Sequence, residues 1–123
     1  MKHFDGKHVL NTGGLGTIGR ALAEGLLKAG GAVNVLDQPS GATLEGTVWL
    51  GLDLRGLKSA SAAVTTAGPF NNLINNASRI INRPFEDFTI EDDEEQITLN
   101  LTADFALLRA CSQTIKAKRR CRV

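Results

Sequence analysis

The chain has 123 residues, 42% of them apolar and 22% charged, with a formal net charge of +1; that is one soluble domain at most, with no apolar run long enough to span a membrane. The first residues, Met1 to Lys7, lack the apolar centre of a secretory signal, and Cys111 and Cys121 suggest neither a disulfide framework nor a metal site, so a cytoplasmic setting is expected. His3 and His8 stand far from both cysteines in sequence and receive no metal role.

Lys7 to Asn11 reads as a first strand. It leads into Asn11-Thr12-Gly13-Gly14-Leu15-Gly16-Thr17-Ile18-Gly19, a glycine-rich turn that opens a helical pattern. A turn of this kind between strand and helix is a setting for dinucleotide binding, and each glycine has a physical task. Gly13 permits the tight turn, Gly16 lets backbone amides approach a pyrophosphate, and Gly19 lets the helix pack closely on the strand. The first-turn amides and the helix dipole then favour negative charge there. The helix runs from Ile18 to Ala29, with Ile18, Leu22, Leu26 and Ala29 on one face, and Gly30-Gly31 stops it.

Ala32 to Leu36 reads as a second strand that ends in Asp37, 18 positions after Gly19. An acid about 20 residues beyond the glycines accepts hydrogen bonds from the adenosine ribose. Its charge repels a 2′-phosphate, which favours NAD over NADP. The alternative is that Asp37 merely starts a turn before Pro39. Gln38 to Gly46, with Pro39, Ser40 and Gly41, is too short and broken for a full helix. Thr47 to Leu52 is a third strand, Leu57 to Thr66 an Ala-rich helix, and Asn72 to Ile74 a fourth strand.

Asp92 to Lys116 is a long helix, with Thr89 as its cap and Asp92 as the capping-box partner. The acidic run from Glu91 to Glu95 matches the positive end of the helix dipole and needs no metal to explain it. The middle carries two apolar faces: Ile97, Leu101, Phe105 and Leu108 on one, Leu99, Ala103, Leu107 and Ala110 on the other. One can face a sheet; the other calls for a partner. Alternation of strands and helices predicts an α/β, Rossmann-type three-layer αβα fold with a parallel sheet in the order 3-2-1-4.

Charge is uneven. Lys116, Lys118, Arg119, Arg120 and Arg122 are five of the 14 basic residues, which leaves 1–115 with 9 basic and 13 acidic groups. The expected division is a dinucleotide-binding half-domain over 1–115 and a basic tail over 116–123. No aromatic residue interleaves the tail to stack bases, which argues against nucleic acid as a partner.

Asp53-Leu54 ends the third strand, Asn75-Asn76-Ala77-Ser78 ends the fourth, and Asn100 lies inside the long helix. With the glycine turn, this resembles the N-terminal half of the short-chain dehydrogenase/reductase family over roughly residues 4–115. The resemblance implies that Gly13, Gly14, Leu15, Gly16, Thr17, Ile18 and Gly19 hold the NAD pyrophosphate. Asp37 would hold the ribose, Asp53 and Leu54 would flank the adenine, and Asn76 and Ala77 would line the cleft. Asn75 would brace the sheet, and Asn100 would help form a proton relay to solvent through a bound water. The rival readings are a strand-ending turn for Asn75-Asn76 and an ordinary polar helix position for Asn100.

There are departures. Thr17 stands where the family's common spacing has Gly, and Ser78 where Gly is usual. The spacing Gly13-x-x-Gly16-x-x-Gly19 is nearer the family's extended members, whereas Asn75-Asn76-Ala77 favours the single-domain ones. In the family a tyrosine is the general acid/base, a lysine four residues on lowers its pKa, and a serine holds the substrate oxygen. This chain has no tyrosine. The change of composition from Lys116 to Val123 suggests a chain truncated after the long helix, by a frameshift, an alternative end or a truncation. Two functions remain: an NAD-dependent oxidoreductase acting on a small alcohol or ketone, inactive in this form alone, or a non-catalytic dinucleotide-binding or partner-binding fragment. Homo-oligomers through the long helix are expected in either case.

Overall fold

The computed structural model describes residues 2–40 and 42–117. Gly41, Cys121 and the basic residues from Lys118 onward, which hold most of the expected tail, lie outside the described residues.

Four parallel strands, β1 (His8–Thr12), β2 (Ala32–Asp37), β3 (Thr47–Gly51) and β4 (Asn72–Ile74), form one sheet in the order β3-β2-β1-β4. The order is the expected one. β1 is paired on both sides, with Val9 and Leu10 opposite Val33 and Asn34 on β2 and opposite Asn72 and Leu73 on β4. Strands buried on both faces read as continuous apolar runs, and alternate side chains feed two cores. Val9, Val33 and Val35 pack with Ala23 and Leu26 of α1 (Thr17–Lys28). Leu10, Leu36 and Leu73 pack on the other side with Ala60 and Val64 of α2 (Leu57–Ala67) and with Leu107 and Cys111.

The buried side of α1 is Gly19, Ala23 and Leu26. Of the expected apolar face Leu26 is buried, whereas Ile18 is 69% and Leu22 39% exposed. The small residues win the buried side because the helix start lies against the backbone of the glycine turn. α1 ends as expected, with Gly30 at φ +91, Gly30 N–H on Leu27 O and Gly31 N–H on Leu26 O, the paired bonds of a Schellman stop. Between β2 and β3 the described residues form no helix. Val48 and Trp49 of β3 are correspondingly exposed.

After a short 3₁₀ turn, Phe85–Asp87, comes α3 (Ile90–Ile97), then a π-helical segment, Thr98–Thr102, and α4 (Ala103–Ala117). The junction residues Thr98 and Ala103 keep right-handed helical angles, so the three run on as one rod. The rod starts at Ile90, two residues before the expected position, and opens on the expected capping box. Thr89 Oγ1 accepts from the Asp92 N–H at 3.1 Å, and Asp92 Oδ2 accepts from the Thr89 N–H at 3.0 Å. Of its two apolar faces, one is buried through Leu99, Ala103, Leu107, Cys111 and Ile115. The other stays open, with Ile97 48%, Leu101 63% and Phe105 65% exposed. Leu108, expected on the open face, packs partly against the core.

Candidate functional site

A cleft of about 650 Å³ opens at the carboxyl ends of the strands. That is the usual position for a ligand in an open parallel sheet. One wall is the glycine turn. Gly13 takes φ +66, and its N–H donates to Leu36 O at 2.8 Å. A side chain on Gly13 would come 2.9 Å from Ala77 Cα, and one on Gly19 would strike Gly13 O and Asn76 Nδ2. Gly14 has its own constraint, since a Cβ there would meet Val35 at 2.6 Å. Gly16 differs: the nearest atom to a Cβ there is Gly13 O at 3.4 Å, so the protein leaves room beside it. Gly16 is also the N-cap of α1, and no side chain caps that helix start. Among the described residues no side chain bonds its first-turn amides, which suits an anion.

The facing wall is the end of β4, which is tied to the turn by backbone and side chain. Thr12 Oγ1 accepts from the N–H groups of Asn76 and Ala77 at 3.1 and 3.0 Å. Asn76 Nδ2 donates to both Thr12 O and Gly13 O at 3.2 Å. Asn11 Nδ2 donates to Gly19 O at 2.8 Å and so ties β1 to the start of α1. Asp37 Oδ2 accepts from Leu15 N–H at 3.0 Å and Oδ1 from Gln38 N–H at 2.8 Å, which fixes the carboxylate at the cleft's edge.

Of the residues singled out in the sequence, Gly13, Gly16, Thr17, Ile18, Gly19, Asp37, Leu54, Asn76 and Ala77 line this cleft together. Thr17 is the first residue of α1, and Ile18, exposed to solvent, turns out to border the cleft rather than the core. Gly14, Leu15, Asp53 and Asn100 lie outside the lining. Asp53 is engaged by Arg55, whose side-chain hydrogen bonds hold its carboxyl below the ordinary range. Asn75 Nδ2 reaches Asp104 O at 3.5 Å, a brace from β4 to α4.

Asn100 sits in the π-helical segment, and its side chain is spent on one residue. Its Oδ1 accepts from Arg79 N–H and its Nδ2 donates to Arg79 O, both at 2.8 Å. The Arg79 guanidinium reaches Glu95 Oε1 at 2.7 Å, and Arg55 reaches the same oxygen at 3.3 Å. The chain from Asp53 through Arg55 and Glu95 to Arg79 thus spans the rim. Sequence reasoning missed Thr12, Gln38, Arg79 and Leu99. Thr12 had a signal, as the hydroxyl just before the glycines, and Arg79 as the cation next to Asn-Asn-Ala-Ser.

The arrangement fits an adenine dinucleotide. The uncapped helix start and the space at Gly16 suit phosphates, the Asp37 carboxylate suits a ribose, and Leu54, Ala77 and Leu99 offer apolar contact to a ring. Among the described residues no three His, Cys, Asp or Glu side chains gather as a metal site. The Cys111 thiol is buried, which pushes its pKa up to about 11 and keeps it unreactive. No helix among the described residues is long and apolar enough to cross a membrane.

Comparison with known proteins agrees with this geometry. D-erythrulose reductase of Gallus gallus is 39% identical over 107 residues, which cover 81% of this chain and 43% of that protein. A short-chain dehydrogenase of Leptospira borgpetersenii, solved with bound NAD+, superposes with a TM-score of 0.80 at 31% identity, over 95% of this chain and 48% of that one. A 3-oxoacyl-(acyl-carrier-protein) reductase of Agrobacterium tumefaciens with NADP bound gives 0.86 at 28% identity, over 98% and 52%. The chain therefore spans about half the length of these relatives. The sequence model of the short chain dehydrogenases matches residues 7–123, past the residue 115 at which the resemblance was expected to end, and the chain belongs to that family.

Proposed function

We propose that this chain is the cofactor-binding part of an NAD-dependent short-chain oxidoreductase that acts on a small alcohol or ketone. The observation that carries the reading is the meeting of the glycine turn, Asp37 and Asn76-Ala77 around one cleft. The backbone from Gly13 to Gly19 would hold the pyrophosphate, with Gly14 and Leu15 shaping the turn. Asp37 keeps lone pairs beyond those used by Leu15 and Gln38, and these would take the ribose hydroxyls. The same charge disfavours a 2′-phosphate, which supports NAD over NADP. Leu54 would flank the adenine, with Asp53 outside it. NAD supplies the hydride chemistry when bound. Asn100 would serve the proton path through its backbone, because its side chain is committed to Arg79.

The second reading, a binding module without catalysis, draws on one fact: none of the 123 residues is a tyrosine. We infer that the chain binds NAD without turning it over. Fluorescence titration of the purified chain with NADH, beside assays on a panel of alcohols and ketones, tests both. Saturable binding with no turnover is expected. Absence of binding overturns the cofactor reading, and reproducible turnover overturns the binding-module reading. The open face of the rod, Ile97, Leu101 and Phe105, supports pairing with a second copy. Acidic residues at its start and basic ones near its end favour an antiparallel pair. Cytoplasmic residence is part of the same proposal.

A further inference from the structure

Among the described residues that line the cleft, Arg79 is the one cation. The glycine turn opposite offers backbone amides and no basic side chain between Gly13 and Gly19. The two walls are in contact, because Gly13 abuts Ala77, two residues before Arg79. Both backbone groups of Arg79 are pinned by Asn100, so the side chain leaves from a fixed point. A guanidinium carries five N–H donors. Here one of them bonds Glu95, and the side chain is 51% exposed. Arg55, the other cation on Glu95, is matched closely by Asp53. The charges of Asp53, Arg55, Glu95 and Arg79 thus balance, and of these four only Arg79 is a lining residue of the cleft.

We propose that Arg79 is a phosphate ligand of the bound dinucleotide and that Glu95 is the positioning residue that sets how available it is. The inference rests on the reading of the cleft as a dinucleotide site. An arginine suits this task because its planar fork matches phosphate oxygens, and charge-assisted bonds of this kind are the strong ones. Glu95 holds the guanidinium at the rim, and a phosphate that enters opposite the α1 N-terminus competes for it.

Calorimetric titration of the purified chain with NADH, ADP and adenosine tests the proposal, with thermal melts as a check on folding. Arg79→Gln is expected to weaken NADH and ADP about tenfold and to leave adenosine unchanged. Arg79→Lys recovers part of the loss, since the charge remains and the fork does not. Glu95→Gln, with the guanidinium released, tightens ADP several-fold, and the gain vanishes in the double variant Arg79→Gln/Glu95→Gln. A wild type that binds none of the three ligands defeats the cofactor reading and this inference with it. A wild type that binds ADP, with Arg79→Gln equal to it or with adenosine falling in parallel, defeats this inference alone.

Discussion

The amide of Asn100 closes a two-bond ring with the backbone of Arg79, 21 residues earlier in the chain. Both partners of a backbone pair are satisfied by one side chain, as a neighbouring strand would satisfy them. Asn100→Asp keeps the acceptor and loses the donor, and Asn100→Ala loses both. Each is expected to lower stability by about 1 kcal/mol and to weaken NADH binding, with Asn100→Ala the worse. Hydrogen exchange at the Arg79 amide reads the clamp directly. Unchanged protection in Asn100→Ala would contradict it.

Gly19 and Gly16 separate packing from ligand access. Gly19→Ala drives a methyl into Gly13 O and Asn76 Nδ2, and overpacking of this kind costs about 1–3 kcal/mol. Gly16→Ala meets only ordinary contact. It should fold nearly as well as the wild type and lose NADH affinity. Denaturant melts and NADH titrations on the two variants check the contrast; equal melts for both would refute it.

Asp37→Ser should shift the NADP to NAD affinity ratio toward NADP by roughly tenfold, equivalent to ~1.4 kcal/mol. Titration of both cofactors against wild type and variant reads the ratio. The variant also loses the acceptor for the Leu15 N–H, so both affinities are expected to fall while the ratio moves. A fixed ratio would remove the role given to Asp37.

Two carboxylates respond to pH with opposite signs. Backbone hydrogen bonding at Thr89 holds Asp92 below its usual value of 3.8, so its contribution is full above that value and fades as pH falls through the lower folded pKa. Burial raises Asp104, so the folded state favours its protonated form and its stability cost grows as pH rises above 3.8. Asp104 Oδ1 and Asn75 Oδ1 are both buried without a hydrogen-bond partner among the described residues. Asp104→Asn removes the charge and brings a donor to that spot. Its melting temperature should exceed wild type at pH 7 and approach it near pH 3. Asp92→Asn should show the reverse sign at pH 7.

Leu101→Glu/Phe105→Glu places two charges on the open face of the rod, where both residues are exposed. Sedimentation should find oligomers for the wild type and monomers for the variant, at similar melting temperatures. Leu108 is a poorer target, because its contact with the core would confound folding with association. A monomeric wild type at micromolar concentration would end the pairing proposal.

The strands were legible because apolar runs flanked by Gly, Asn and Asp leave little choice of period or boundary. The Thr89 box and the Gly30 stop were legible because capping is local chemistry. The buried face of α1 was not fully legible: Gly19 and Leu26 pack as expected, while hydrophobicity also pointed to Ile18 and Leu22, which stay exposed. Nor was the clamp of Asn100 on Arg79, or the bridge from Arg55 to Glu95, 40 residues apart. Such contacts leave no periodic trace. The glycines located the cleft, and long-range side chains built its rim.

The π-helical segment carries a consequence for changes of chain length. Side chains on an α-helix advance about 100° per residue, so a one-codon deletion between Ala103 and Leu107 would turn Leu107, Cys111 and Ile115 away from the core. A π segment is in effect one extra residue stored in a helix. A one-codon deletion within Thr98–Thr102 would use up that store and leave the rod regular, with both flanks still in phase with the sheet. The fold would tolerate it, and the loss would fall on Asn100 and the loop it grips.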